Sequence, residues 1–237
     1  MLTAIIVAAG SSQRMGFDKL LATIADKPVI AHSIAAFERT NSVSEIIIVT
    51  REDRHLEIEK IVGDEKFKKV RSVVTGGKHR QNSVAAGLLH LSTDGKYVAV
   101  HDAARPLVRP QLIEQVFAKA QESGAAAAAE SITDTLKRAD VDPFDSGSGQ
   151  VLVVKESVHR HQLFGMQTPQ IFERALINDA YRAVFAKNLL ITDEVSTVEH
   201  LGHKVVIVPN DDFNFKITYP RDLPLAEFVL RQRAADA

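Results

Sequence analysis

Short runs of β-branched and aliphatic residues alternate with longer amphipathic stretches along this 237-residue chain, and that rhythm constrains the fold most tightly. Residues 4–7, 45–50, 70–75 and 97–101 read as strands, and 28–39, 55–62, 80–91 and 111–122 as the helices between them. Pro28 suits a first helical turn. The strands are continuously apolar rather than alternating, which is the pattern of a sheet covered on both faces. Strand–helix repetition at this spacing predicts right-handed βαβ units. The expected class is α/β, with a mostly parallel central sheet and helices on both faces.

The rhythm breaks after Gly124. Residues 125–129 are all alanine. Propensity suits that run to a helix, whereas position suits it to a strand in a crowded sheet centre, and the strand is preferred. Residues 133–139 and 151–157 predict two strands joined by a turn-rich loop at 142–149, forming a β-arm at about 132–158. A long projecting hairpin must bury its apolar face against something. A second copy of the chain is the natural place, so a homodimer with exchanged arms is expected. The α/β pattern resumes with helices at 172–187 and 193–201, a strand at 204–208 and a last helix at 223–233. One domain over residues 1–237 is expected.

Composition removes several classes of function. Lys and Arg number 29 against 30 Asp and Glu, a net charge of −1, which argues against a broadly basic nucleic-acid binder. Cysteine is absent, excluding disulfides, thiolate metal sites and cysteine nucleophiles. No apolar run approaches the roughly 20 residues of a membrane helix. The apolar N-terminus lacks a preceding basic residue and a cleavage site, so a cytoplasmic protein with no membrane partner is expected.

Three segments follow strands and carry chemistry. The first is Ala8-Ala9-Gly10-Ser11-Ser12-Gln13-Arg14-Met15-Gly16, followed by Lys19. Small residues after a strand let backbone N–H groups approach an anion, and Arg14 and Lys19 add two positive charges, so phosphate is the obvious ligand. Neither the Walker loop nor the dinucleotide fingerprint is present. The second, Thr75-Gly76-Gly77-Lys78-His79-Arg80-Gln81-Asn82-Ser83, places two glycines before a helix, although a turn and N-cap would use the same residues. The third, His101-Asp102-Ala103-Ala104-Arg105-Pro106, lies at the C-terminal end of a strand, where open α/β sheets bind ligands. There Asp102 can face a sugar hydroxyl or a Mg²⁺–phosphate assembly and Arg105 can fork onto phosphate, or the two can simply pair. Convergence of the three segments on one sheet edge argues for a nucleotide site.

The combination A-A-G-x-x-x-R-M-x-x-x-K, G-G-x-x-R-x-x-S, H-D-A-A-R-P, D-T-x-K-R, Q-T-P-Q and T-D-E resembles the 2-C-methyl-D-erythritol 4-phosphate cytidylyltransferases, in order from residue 4 to about 229. The resemblance implies a Rossmann-like, glycosyltransferase-A-like nucleotidyltransferase fold. It also implies transfer of CMP from CTP to methylerythritol phosphate, with Mg²⁺ carried mainly on the CTP phosphates. It assigns Arg14, Lys19, Arg160 and Lys216 as catalytic and places Ala8, Ala9, Gly10, Gly76, Gly77, Arg80, Ser83, Asp102 and Ala103 around the nucleotide. Asp102, Arg105, Thr135, Arg160, Thr168 and Lys216 would meet the acceptor, with Thr135 and Arg160 reaching a neighbouring subunit's site from the arm. The same resemblance puts the Thr192-Asp193-Glu194 segment near the acceptor, although a helix N-cap also explains it. His159 and His161 flank Arg160 without a convincing third ligand, so no protein metal site is expected. One departure is Phe213 before Asn214-Phe215-Lys216, where family members often carry an acidic residue. Two other readings share these residues: a pentitol phosphate cytidylyltransferase acting on ribitol 5-phosphate, and a nucleotide-binding regulatory module without catalysis.

Overall fold

β1 (Leu2–Val7) is buried at five of its six positions because neighbouring strands flank it on both edges and helices cover both faces. The computed structural model describes residues 1–10, 15–141 and 151–236. After β1 come the two-residue strands β2 (Thr23–Ile24) and β3 (Lys27–Pro28), then α1 (Val29–Arg39), β4 (Val43–Thr50), α2 (His55–Asp64), β5 (Val70–Thr75), α3 (Arg80–Leu89) and β6 (Tyr97–Asp102). The second half runs α4 (Pro110–Ser123), β7 (Ala125–Ser131), β8 (Leu136–Val141), β9 (Leu152–Val158), β10 (Phe164–Glu173), α5 (Arg174–Ala186), α6 (Glu194–Glu199), β11 (Val206–Pro209) and α7 (Asp222–Ala235). Seven strands form one sheet in the order β11-β7-β10-β6-β1-β4-β5. The β1–β4, β1–β6, β4–β5 and β7–β11 pairs are parallel, and β10 alone runs antiparallel to both of its neighbours.

Each strand sends alternate side chains to opposite faces. Leu2, Ala4, Ile6, Ile46 and Ile48 pack with Ile34 and Phe37 of α1 and Val116 of α4. Ile5, Ile47, Val49, Val98 and Val100 pack with Val84 of α3 and Ile177 and Tyr181 of α5. This is the three-layer arrangement expected from the apolar strands. Among the described residues, no helix is long and apolar enough to cross a membrane.

The alanine run is a strand, and the residue before it explains why. Gly124, at φ 81°, caps α4 in the left-handed conformation with its N–H on the Ala120 carbonyl. The chain therefore leaves the helix axis before a good helix former can extend it. All five alanines are fully buried in the central sheet, between β10 and β11.

The stretch 172–187 is helical only from Arg174, and the preceding ten residues form β10. Gly165, Pro169 and the polar Gln167, Thr168 and Gln170 hide this strand, because proline and buried polar groups argue against a central strand. Its pairing with β7 is interrupted between Met166 and Gln170, around the cis Thr168–Pro169 peptide. The β2–β3 hairpin also escaped the pattern; its turn residues Ala25 and Asp26 sit at φ 43° and 68°.

β8 and β9 pair antiparallel from Leu136↔Val158 to Val141↔Leu152 and form a sheet of their own, apart from the seven strands. Leu152 and Val154 on this hairpin are exposed. The predicted loop at 142–149 lies outside the described residues.

Candidate active site

Chain direction in the sheet reverses its order of addition between β1 and β6: β4 and β5 extend one side, β6 the other. A crevice opens at such a point beyond the carboxyl ends of the strands. Here it is a cavity of about 580 Å³, lined by Ala8, Ala9 and Gly10 after β1, Gly77 and Lys78 after β5, and Asp102 at the end of β6. Lys19, His79, Arg80, Ser83, Lys216 and Thr218 add to its polar wall. A second cleft of about 370 Å³ adjoins it, lined by Arg105, Met166, Gln167, Thr168, Gln170 and Asp193 among others. Arg80, Asp102 and Lys216 line both.

Those three side chains are bonded to one another. Arg80 Nε donates to Asp102 Oδ1 (3.1 Å) and Lys216 Nζ donates to Asp102 Oδ2 (2.7 Å). Burial alone would push the Asp102 carboxyl up, but Arg80, Lys216 and Arg105 outweigh it and hold it well below the usual carboxylate range. Asp102 therefore pairs with Arg80 and Lys216, not with Arg105 as the short sequence spacing allows. Arg105 turns its guanidinium to the Asn214 carbonyl (2.8 Å) and the Met166 carbonyl (3.4 Å), and its Nε has no partner among the described residues.

Arg80 reaches further. Its Nη1 donates to both carboxylate oxygens of Glu194 (2.7 and 2.8 Å), a residue with no solvent exposure. Burial raises the Glu194 carboxyl while Arg80 and the Tyr181 hydroxyl, donating at 2.9 Å, pull it down. Asp193 caps α6 through Ser196 N–H (3.0 Å), as the spacing predicts. The role of Glu194 is the part that was not legible, since its partner lies 114 residues away.

β10 supplies the floor of the smaller cleft, and its buried polar side chains are satisfied one by one. Thr168 Oγ1 accepts from Asp102 N–H (3.1 Å) and meets His101 Nδ1 (3.0 Å). Burial pushes the His101 imidazole down to about 3, so it is neutral and works as a spacer under Asp102. Gln170 Oε1 accepts from the N–H groups of Glu194 and Val195 (both 3.1 Å). Asn210 and Asn214 donate to Gln167 Oε1 (3.1 and 2.9 Å).

A family model described as 2-C-methyl-D-erythritol 4-phosphate cytidylyltransferase matches residues 2–232. The chain belongs to that family. A relative of that name from Caldanaerobacter subterraneus is 39% identical over 238 residues, covering 98% of this chain and 99% of its own. One from Halalkalibacterium halodurans is 36% identical over 233 residues, covering 98% and 97%. The solved structure of 4-diphosphocytidyl-2C-methyl-D-erythritol synthase from Anaerococcus prevotii superposes with a TM-score of 0.82 at 28% identity, covering 98% of this chain and 96% of that one.

In this cytidylyltransferase the residues expected at the nucleotide converge unevenly. Ala8, Ala9, Gly10, Gly77, Arg80, Ser83, Asp102, Lys19 and Lys216 line the larger cavity. Gly76 supports it from behind, whereas Ala103 is fully buried beneath it, with its carbonyl accepting from Ser33 Oγ (2.9 Å). Arg105 and Thr168 line the smaller cleft. Arg14 lies outside the described residues. Thr135 and Arg160 are exposed at the base of the hairpin, where Arg160 donates to the Thr133 carbonyl, and they line neither cleft of their own chain. Asp212, just upstream of Phe213, does not turn into the site either: it is taken up by Arg233 (2.8 Å) and Arg109 (2.6 Å).

Asp102 is the one carboxylate among the described residues of the larger cavity, and both its oxygens already accept from cations. That donor set builds no protein cage for Mg²⁺, and no group of three or more His, Asp or Glu that could hold a metal occurs among the described residues.

A Cβ on Gly76 would lie 2.6 Å from Ser83 Oγ and 2.8 Å from the Ala9 Cβ. Gly76→Ala is therefore expected to push the first and second loops apart and weaken CTP binding by roughly tenfold or more, as small misplacements at a site do. Calorimetric titration with CTP checks this; unchanged affinity would contradict the placement.

Proposed function

We propose that this chain transfers CMP from CTP to 2-C-methyl-D-erythritol 4-phosphate, giving 4-diphosphocytidyl-2-C-methyl-D-erythritol and pyrophosphate, in the non-mevalonate route to isoprenoid precursors. The observation that carries the reading is the pair of adjoining clefts sharing the wall Arg80–Asp102–Lys216. The larger takes CTP and the smaller takes the acceptor. An acceptor phosphate oxygen then attacks the α-phosphorus, a new P–O bond forms, and the bond to the β-phosphate breaks as pyrophosphate leaves.

Two polyanions must meet on a protein whose net charge is −1. The solution is local: Lys19, Lys78, Arg80 and Lys216 line one cavity against a single carboxylate among its described lining residues. No protein nucleophile is required, so positioning and fixed positive charge do the work. Mg²⁺ would be carried on the CTP phosphates as part of the substrate and would neutralise part of their charge, with Lys19, Lys78, Arg80 and Lys216 supplying the protein's share. Asp102, ionised and flanked by two cations, anchors Lys216 between the clefts and offers oxygen to an acceptor hydroxyl. Arg105, with Nε unpartnered among the described residues, adds charge to the acceptor side.

The hairpin supports a homodimer. An isolated two-stranded sheet is marginal in water, and this one exposes Leu152 and Val154 on one face. Exchanged arms bury them and carry Thr135 and Arg160 to the partner's acceptor cleft. Leu152→Asp combined with Val154→Asp is expected to yield monomer by light scattering and to raise the acceptor KM; a persisting dimer would contradict an arm interface. The substrate assignment is tested by pyrophosphate release from CTP, ATP, GTP and UTP with methylerythritol 4-phosphate or ribitol 5-phosphate. Release confined to CTP with methylerythritol phosphate is expected; release with ribitol phosphate alone would overturn the acceptor.

A further inference from the structure

The clefts account for every cation on their walls, but one buried arginine nearby touches neither. Arg54 ends a single 3-10 turn, Glu52–Arg54, between β4 and α2, and only 2% of its side chain is exposed. In sequence it closes the charged run Arg51-Glu52-Asp53-Arg54. In the fold its Nη1 donates to the Ala8 carbonyl (2.6 Å), its Nη2 donates to the Gly10 carbonyl (3.0 Å), and its Nε pairs with the Asp18 carboxylate. Ala8 and Gly10 open the first loop and Asp18 stands next to Lys19. One guanidinium thus touches both the start of that loop and the residue beside its lysine.

We propose that Arg54 is a positioning residue for the nucleotide triphosphate, setting the backbone of Ala8–Gly10 and the direction of Lys19. The inference deepens the proposed cytidylyl transfer and rests on CTP occupying the larger cavity. Two pieces of geometry carry it. A trans peptide holds its C=O and N–H on opposite sides, so pinning the Ala8 carbonyl to Arg54 turns the Ala9 N–H away from Arg54. Asp18, fixed by Arg54 on one oxygen, accepts Leu20 N–H on the other (3.1 Å), so the residue between them, Lys19, has its main chain anchored on both sides. Burying a guanidinium carries a desolvation cost that an apolar side chain would avoid. What an apolar side chain cannot do is orient two carbonyls through hydrogen bonds and present a charge to Asp18 at once, which the planar guanidinium does.

The test compares wild type with Arg54→Lys, Arg54→Met and Asp18→Asn. Lysine keeps the charge but not the fork, and Asp18→Asn keeps the shape of the partner while removing its charge, with CTP affinity read per folded molecule in every variant. The CTP dissociation constant, titrated by calorimetry without acceptor, is expected to rise on the order of tenfold to a hundredfold in Arg54→Met, with partial rescue in Arg54→Lys. Asp18→Asn shifts it in the same direction. The acceptor KM stays within about twofold, because no Arg54 contact reaches the smaller cleft. A purely structural arginine would lower the fraction of folded enzyme and leave CTP affinity per folded molecule intact. CTP affinity equal to wild type in Arg54→Lys and Asp18→Asn therefore overturns the proposal, whatever happens to Arg54→Met. If wild type binds CTP but transfers nothing to methylerythritol phosphate, the acceptor reading falls while a weakened CTP titration in the variants still supports Arg54.

Discussion

Arg80→Met is expected to cost about 3–5 kcal/mol of folding stability, the range for removing one partner of a buried ion pair, and to abolish measurable transfer. Arg80 is the hinge of the charge network: it donates twice to Glu194, which has no exposure, and once to Asp102. Methionine fills much of the same volume but leaves Glu194 buried with the Tyr181 hydroxyl as its one side-chain partner among the described residues. Glu194 then escapes by binding a proton. Its carboxyl is already raised by burial with Arg80 opposing, so losing Arg80 raises it further. A raised carboxyl in the folded state favours folding of the protonated form. The penalty is therefore small below the unfolded value of about 4.3 and grows as pH rises through the folded value. Urea unfolding at pH 5 and pH 8 should show a wider gap between wild type and Arg80→Met at pH 8. A gap that is equal at both, or wider at pH 5, would contradict an ionised Glu194 held by Arg80.

Lys216→Met separates chemistry from folding. The Lys216 side chain is 40% exposed, so its ion pair with Asp102 is screened and contributes within about 1 kcal/mol to stability. The same ammonium lines both clefts and lies between the two anions in the proposed reaction. Removing one such preorganised charge is expected to lower kcat about 10²–10³-fold. Lys19→Met provides the contrast, since Lys19 lines the larger cavity and not the smaller. It is expected to raise the CTP KM with the acceptor KM little changed, whereas Lys216→Met disturbs both. Steady-state kinetics with each substrate varied in turn decide it. A Lys216→Met enzyme with wild-type kcat would remove Lys216 from the reacting centre.

The half of the site built from β1, β5 and β6 was legible in the sequence for a physical reason. An apolar run followed by small residues announces both a strand and the crevice beyond it, so Ala8–Gly10, Gly77 and Asp102 could be placed from local pattern alone. The other half is made of groups whose meaning depends on distant partners. β10 looked unlike a strand because its inward side chains are Gln167, Thr168 and Gln170, each satisfied by Asn210, His101 or the start of α6. Glu194 looked like an ordinary helix start, and only the fold sets Arg80 against it. Arg54 sat in a charged run of the kind that usually faces water. Thr135 and Arg160 were expected to reach a neighbouring subunit's acceptor site from the arm; they stand exposed at the hairpin base and line neither cleft of their own chain.

The most direct measurement is a ³¹P NMR time course of the protein with CTP, Mg²⁺ and methylerythritol 4-phosphate. The account predicts loss of the acceptor's phosphomonoester signal, growth of two mutually coupled diphosphate resonances, and an equal amount of free pyrophosphate. Those signals mean that the acceptor phosphate is retained and joined to the α-phosphate of CTP. Orthophosphate as the only new signal, or an acceptor resonance that persists while CTP is consumed, would contradict cytidylyl transfer across the shared wall of the two clefts.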